Sequence, residues 1–206
     1  MTEVARHVLE EAVTVIKQGG VVAFPTETYY GLAVDPFQEK ALERIFIIKK
    51  RSFNKAILTL VDSRQTLFRL TAGIDPVYEP LMDYFWPGPV TLLFSGKEGL
   101  SPLLTGNTAS IGSRISSHPT ARKLCGMIGQ PITATSANLS GERAAISARE
   151  VGRQLGSGVD LIINGGKTCG GQGSTIVAAH GTSLKLIRRG KVPFKALLEV
   201  VRAYTF

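Results

Sequence analysis

With 206 residues, 44% of them apolar, the chain can bury a sizeable core and fits one domain with at most small elaborations. Its 24 Lys and Arg against 16 Asp and Glu leave a formal charge of +8, which favours anionic partners such as nucleotides or RNA. Two cysteines, Cys125 and Cys169, are too few for a disulfide framework, no apolar run approaches the ~20 residues of a membrane span, and the acidic start MTEVARHVLEEAV lacks a signal-peptide core, so the reading is a cytoplasmic protein with no membrane partner.

Val4, Val8, Ala12, Val13 and Ile16 recur at helical spacing and stop at Gly19-Gly20. VVAF (21–24) is a strand ended by Pro25, which leaves PTETYYG as a loop beyond the strand's carboxyl end. EKALERIFIIKK returns to helical period, and AILTLV (56–61) predicts a strand. SRQTLFRL and PVYEPLMDYF read as helices, the second stopped by WPGP before a strand over 90–94. ASIGSRI (109–115) predicts a strand, PTARKLCGMI (119–128) a helix, and PITATS (131–136) a strand entering the polar loop ANLSGE. AREVGRQL is a helix, DLIING, STIVA and LKLIR are strands, and PFKALLEVVRA closes the chain as a helix. Helices and strands interleave, which argues a single α/β domain with a twisted mixed sheet and surrounding helices. The expected domain spans 1–206, with its core over 7–192 and a terminal helix over 193–203. GGKTCGGQGS (165–174) is the one long loop, of the kind that is often functional.

Four familiar signatures fail. GGKT at 165–168 lacks the glycine that a Walker loop needs at 161, where Leu161 stands, and GGQGSTI has Ile176 in place of the third dinucleotide-binding glycine. His7, His118 and His180 are scattered and neither cysteine has a partner at metal-ligand spacing, so no metal site is assigned. There is no Gly-x-Ser-x-Gly elbow for a serine nucleophile, and His118 before Pro119 reads as a helix-entry residue.

What remains is a set of polar stretches at strand and helix ends. Lys49, Lys50, Arg51 and Lys55 follow an apolar helix, where they either complement its negative end or form an anion site. PTET supplies hydroxyls, SRISSHP brings Arg114 late in a strand, and TATSANLSG adds hydroxyls and an amide. Each has a plainer reading: Arg114 as a strand-edge charge, Ser136 and Asn138 as turn formers, Ser174-Thr175 as a strand start. In α/β sheets ligands gather beyond the carboxyl ends of strands, where these loops should meet.

Taken together, GGVVAFPTETYYGLAVDP, IFIIKKRSFNKAILTLV, WPGPVTLLF, SRISSHPTARKL, ITATSANLSG, GGQGSTIV and LIRRG resemble the YrdC-type threonylcarbamoyl-AMP synthase family over nearly the whole chain. The family's paired signature, K-x-R and then S-x-N, stands here as Lys49-Lys50-Arg51 and Ser136-Ala137-Asn138. The resemblance implies a YrdC-like fold and the condensation of L-threonine, bicarbonate and ATP into threonylcarbamoyl-AMP and pyrophosphate for the t6A modification of tRNA. It implies Lys49 and Arg51 as catalytic residues. It further implies ATP contacts at Arg51, Lys55, Ser110, Ser136, Asn138, Ala144 and Arg188, and threonine contacts at Thr28, Arg114, Ala134 and Ser174. Arg189 and Lys191 add field. Mg²⁺ is expected to arrive with ATP, held by phosphates and water rather than by a carboxylate cluster. The carbamate intermediate loses CO₂ in water, so the 165–173 and 49–56 loops are expected covers.

Some positions depart from the family pattern. Ser52 and Ser116 stand where proline is usual, Lys55-Ala56 replaces a common Asn-Pro or Lys-Pro, and Leu60 takes a place often held by histidine, which puts one threonine contact in doubt. Ala178 replaces a frequent aspartate without an evident reason. Because longer relatives carry a further C-terminal domain, the expected role is the first step alone, with the product passed to a separate tRNA threonylcarbamoyl transferase complex. The rival from another class is a non-enzymatic basic RNA-binding module of the same fold with weak tRNA or RNA binding, although no aromatic stacking box accompanies the charge. A carbamoyl-transfer relative is the third reading, and such domains normally sit within much larger proteins. Placed at an exposed helix end, Lys49 and Arg51 should be removable without harm to the fold.

Overall fold

The computed structural model describes residues 4–204; residues 1–3 and 205–206, the extremes of the expected 1–206 domain, lie outside the described residues. Helix α1 (Arg6–Lys17) buries Leu9, Ala12 and Ile16 along one face, and the chain leaves it through Gly19 at φ +83°, a conformation that glycine adopts freely. β1 (Val22–Pro25) and β2 (Tyr30–Ala33) then form an antiparallel hairpin with Pro25 opposite Tyr30. The sequence pattern predicts a loop over 25–31. In the structure Tyr30 and Leu32 are fully buried, and that burial extends the ladder to the edge of the Thr26–Tyr29 turn.

Helix α2 (Glu39–Lys49) packs Ala41, Leu42, Ile45 and Phe46 inward. β3 (Thr59–Leu60), α3 (Arg64–Leu67), α4 (Glu79–Phe85, entered through a 3₁₀ turn at Pro76–Tyr78), β4 (Val90–Ser95), α5 (Pro102–Thr105) and β5 (Ser110–Arg114) follow. Helix α6 (Pro119–Ile128) covers the residues its pattern predicts, with His118 as the entry residue whose Nδ1 accepts from the Thr120 amide at 3.2 Å. β6 (Ile132–Thr133), β7 (Thr135–Ser136), α7 (Ala148–Leu155), β8 (Leu161–Ile162), β9 (Thr175–His180), β10 (Ser183–Arg188) and α8 (Phe194–Tyr204) complete the chain.

The strands build two sheets. One is four-stranded in the order β7-β2-β1-β8, the other six-stranded in the order β10-β9-β4-β5-β3-β6. The pairing is mixed: β1–β8, β3–β5 and β4–β9 are parallel and the rest antiparallel. The single strand expected over 131–136 divides at Ala134, so that Thr133 pairs with Thr59 in the large sheet and Ser136 with Gly31 in the small one. Thr133 braces this corner, its hydroxyl accepting from the Val34 amide and donating to the Leu32 carbonyl, each at 2.9 Å. The expected strands at 56–61 and in DLIING shrink to two paired residues each, because a neighbouring strand reaches them only there.

Two apolar cores fill the layers. Leu9, Ile16, Phe24, Leu124 and Ile132 join α1 and α6 to the strands on one side, while Tyr30, Ile45, Leu81, Leu92, Val177 and Leu197 belong to the larger core. Burial of such side chains at roughly 25 cal/mol per Å² is the main force holding the sheets at a fixed angle. That angle matters because it opens a hollow at the corner.

Candidate functional site

A cavity of about 610 Å³ lies where the two sheets meet, within the usual range of small-molecule sites. β5 contributes Ser110, Gly112 and Arg114, alternate residues of one strand face, while Ile111 and Ser113 turn into the core. Thr26 and Thr28 come from the β1–β2 turn, Ala134 and Ser136 from the corner, Asn138 and Ala144 from the loop beyond it, and Ser174 and Arg188 from the facing ends of β9 and β10. The residues expected to bind substrate thus surround one cavity, with two exceptions.

Lys49 and Lys55 are those exceptions. α2 ends in Lys50 at φ +49°, a left-handed reversal that sends its neighbours in different directions. Lys49 turns inward and is 1% exposed, outside the cavity wall. Its Nζ donates to the Ser136 carbonyl, to the Asn138 carbonyl at 2.7 Å and to Asn138 Oδ1 at 3.5 Å. The ammonium therefore holds the S-x-N loop from behind. Lys55 is exposed, in a short turn outside the wall, and its neighbour Ala56 lines the cavity instead.

Arg51 does reach the wall. One terminal nitrogen donates to the Ala56 carbonyl at 2.8 Å, and its Nε is buried with no partner. Asn138 orders its loop through Nδ2, which donates to the Leu139 and Glu142 carbonyls at 2.7 and 2.8 Å. Also in the wall, Arg188 clasps Ser174, with Nη2 2.9 Å from its carbonyl and 3.0 Å from its hydroxyl, and Thr91 donates to the same hydroxyl at 2.8 Å.

Arg114 is no strand-edge charge. It is 4% exposed and its Nε stands 3.0 Å from Oε1 of Glu27, itself 10% exposed. Nothing in the stretch PTET marks Glu27, because its partner Arg114 lies 87 residues away. Arg189 and Glu142 also line the cavity, and Glu142 is the one carboxylate in the wall among the described residues.

These charges perturb one another. Burial, with the Arg51 charge second, pulls the Lys49 ammonium down to about 7. Burial also lowers Arg51, and burial with the nearby Arg114 lowers Arg188. Burial of Glu27 works against its ionisation, yet Arg114 and the Ser116 hydroxyl outweigh it and leave the carboxyl below its usual range. The wall is thus a set of partly desolvated cations, an arrangement suited to polyanions.

The 165–173 loop is tied to the turn beside the cavity. Tyr30 Oη donates to the Gly166 carbonyl at 2.7 Å, the Gly170 amide to the Thr28 carbonyl at 2.7 Å, and Tyr29 Oη to the Gly171 carbonyl at 2.5 Å. By contrast, residues 52–55 are exposed, although Phe53 stacks on Phe46 at 4.9 Å. At the far end Gly190 passes close to the Ser174–Thr175 backbone, where an added Cβ would stand 2.3 Å from both the Ser174 carbonyl carbon and the Thr175 nitrogen. Gly190→Ala is therefore expected to push β10 and Arg188 away from Ser174 and to destabilise the fold by about 1–3 kcal/mol, read as a lower midpoint in chemical denaturation. An unchanged midpoint would show that the backbone yields there.

Comparison with known proteins is consistent across sequence and structure. The family model Sua5_yciO_yrdC, described as telomere recombination, matches residues 14–190. A threonylcarbamoyl-AMP synthase of Photobacterium profundum is 36% identical over 159 residues, covering 76% of this chain and 86% of the relative. The crystal structure of Pyrococcus abyssi Sua5 complexed with L-threonine superposes with a TM-score of 0.89 at 34% identity, covering 93% of this chain and 56% of that one. Escherichia coli YciO superposes with a TM-score of 0.84 at 25% identity and 96% coverage of both chains.

Proposed function

The chain belongs to the Sua5/YciO/YrdC family, and on that premise we propose that it is a threonylcarbamoyl-AMP synthase, condensing L-threonine, bicarbonate and ATP into threonylcarbamoyl-AMP and pyrophosphate. The observation that carries this reading is the convergence of Arg51, Arg114, Arg188, Ser136 and Ser174, far apart in sequence, on one cavity. In the reaction threonine's amine and bicarbonate give a carbamate and water. A carbamate oxygen then bonds to the α-phosphorus of ATP as the bond to pyrophosphate breaks. Every reactant carries negative charge, so the protein's work is to hold like charges together and steady the charge that develops, which needs no nucleophilic side chain.

On this reading Arg51, Arg188 and Arg189 face the triphosphate, with Ser110, Ser136, Asn138 and Ala144 along the nucleotide. Arg114, Thr28, Ala134 and Ser174 form the threonine end, where a guanidinium pairs naturally with a carboxylate. Lys49 keeps the S-x-N loop in place from behind. Mg²⁺ would come with ATP, held by phosphate oxygens and water. It would supply charge neutralisation on the phosphates. The product would pass to a separate complex that transfers the group to tRNA. Among the described residues no helix is long and apolar enough to cross a membrane.

The decisive experiment incubates the purified protein with ATP, Mg²⁺, labelled bicarbonate and each amino acid in turn. Threonine-dependent release of pyrophosphate together with a labelled adenylate is the expected result. RNA binding without turnover would favour the binding module instead.

A further inference from the structure

We propose that Glu27 is a positioning residue for Arg114: its carboxylate takes the Nε edge of the guanidinium, turns the two terminal nitrogens to the cavity and thereby sets the affinity for an amino-acid carboxylate that Glu27 never touches. The inference rests on the reading of Arg114 as the carboxylate receptor.

The geometry supports it at each step. Glu27 sits in the β1–β2 turn between Thr26 and Thr28, both of which line the cavity, while its own side chain lies behind the wall. Both of its oxygens are engaged. Oε1 accepts from Arg114 Nε at 3.0 Å, and Oε2 accepts from the Ser116 hydroxyl. That hydroxyl is itself fixed, since its oxygen accepts from the His118 amide at 3.2 Å. A carboxylate held at both oxygens is a rigid template for the planar fork of an arginine. Among the described residues, Arg114's terminal nitrogens make no hydrogen bond, so they remain for a ligand on the cavity side.

A buried ion pair is weak evidence of stability by itself, because desolvation offsets much of the attraction. Its location gives the better account. Glu27 belongs to the small sheet's hairpin and Arg114 to β5 of the large sheet, so the pair bridges the two sheets beside the cavity. It also places one negative charge beside Arg114, whose positive charge acts on Arg188.

The test is calorimetric titration of L-threonine, and separately of a non-hydrolysable ATP analogue, into the wild type, Glu27→Gln, Ser116→Ala, Arg114→Lys and the Glu27→Gln/Arg114→Lys double variant. Glu27→Gln keeps the shape and removes the charge, and is expected to weaken threonine about tenfold while leaving the ATP analogue within about twofold. In the Arg114→Lys background the same change should cost under about threefold, since an ammonium has no edge to orient. Ser116→Ala, which removes one hydrogen bond, should weaken threonine about two- to fivefold and serves alone should Glu27→Gln fail to fold. Threonine affinity indifferent to Glu27 and Ser116, equal losses for threonine and the ATP analogue, or equal losses in both Arg114 backgrounds would overturn the inference alone. A wild type that binds no threonine would overturn the functional reading on which it rests.

Discussion

Arg51→Met is expected to lower the rate of threonine-dependent pyrophosphate release by about 10²–10³-fold, the usual cost of removing a preorganised group that steadies developing charge. The same change should leave the free protein as stable as before or slightly more so. Arg51 buries an Nε with no hydrogen-bond partner, and such an orphan costs about 1–3 kcal/mol, against about 1 kcal/mol for the bond from its terminal nitrogen to Ala56. A group that is unsatisfied in the free protein and desolvated on a cavity wall is poised for a ligand rather than for folding. Steady-state assays beside thermal melts separate the two effects. Near-wild-type turnover would remove Arg51 from the mechanism, and a melting point lower by many degrees would show that its buried nitrogen is satisfied in some other way.

The contrast between Arg51 and Lys49 also shows what the chain reveals before it folds. Helices with strong periodicity and clear boundaries are legible: α6 begins at Pro119 and ends before Gly129, and α7 is capped by Ser147, whose hydroxyl accepts from the Glu150 amide. The gathering of loops at strand ends is legible too, because alternation along β5 sends Ser110 and Arg114 to one face. β2 is not, since its burial depends on a sheet partner rather than on a local pattern. Nor is the division at Ala134, where a run that reads as one strand serves two sheets. The direction of Lys49 is hidden for a sharper reason. K-x-R spacing names two cations but says nothing of the backbone of the residue between them, and Lys50 at φ +49° sends one cation into the core and leaves the other at the cavity. Glu27 is hidden because its partner lies on another sheet, 87 residues away.

Lys49 therefore carries a prediction opposite to the one its motif invites. A solvated helix-end lysine could be lost at little cost. A lysine 1% exposed, whose Nζ is the hydrogen-bond donor to the Asn138 carbonyl, cannot. Lys49→Ala should remove about 3–5 kcal/mol of stability, through the cavity it leaves and the acceptors it strands. Lys49→Met keeps the stem and isolates the charge, and its pH dependence is the more telling measurement. Burial pulls the folded ammonium down to about 7 from its ordinary 10.5. Below about pH 7 both folded and unfolded chains are protonated, and the full cost of burying the charge is present. Between about 7 and 10.5 the unfolded chain binds the extra proton, so wild-type stability should rise with pH, by at most 1.4 kcal/mol per pH unit for one proton. Lys49→Met has no such proton. Denaturation midpoints at pH 7 and pH 9.5 should then shift upward in the wild type relative to the variant, even though deprotonation leaves Nζ one donor fewer for the loop that carries Ser136 and Asn138. Parallel pH profiles would mean that the surrounding carbonyls keep Lys49 charged throughout, and that its hold on the S-x-N loop does not vary over this range.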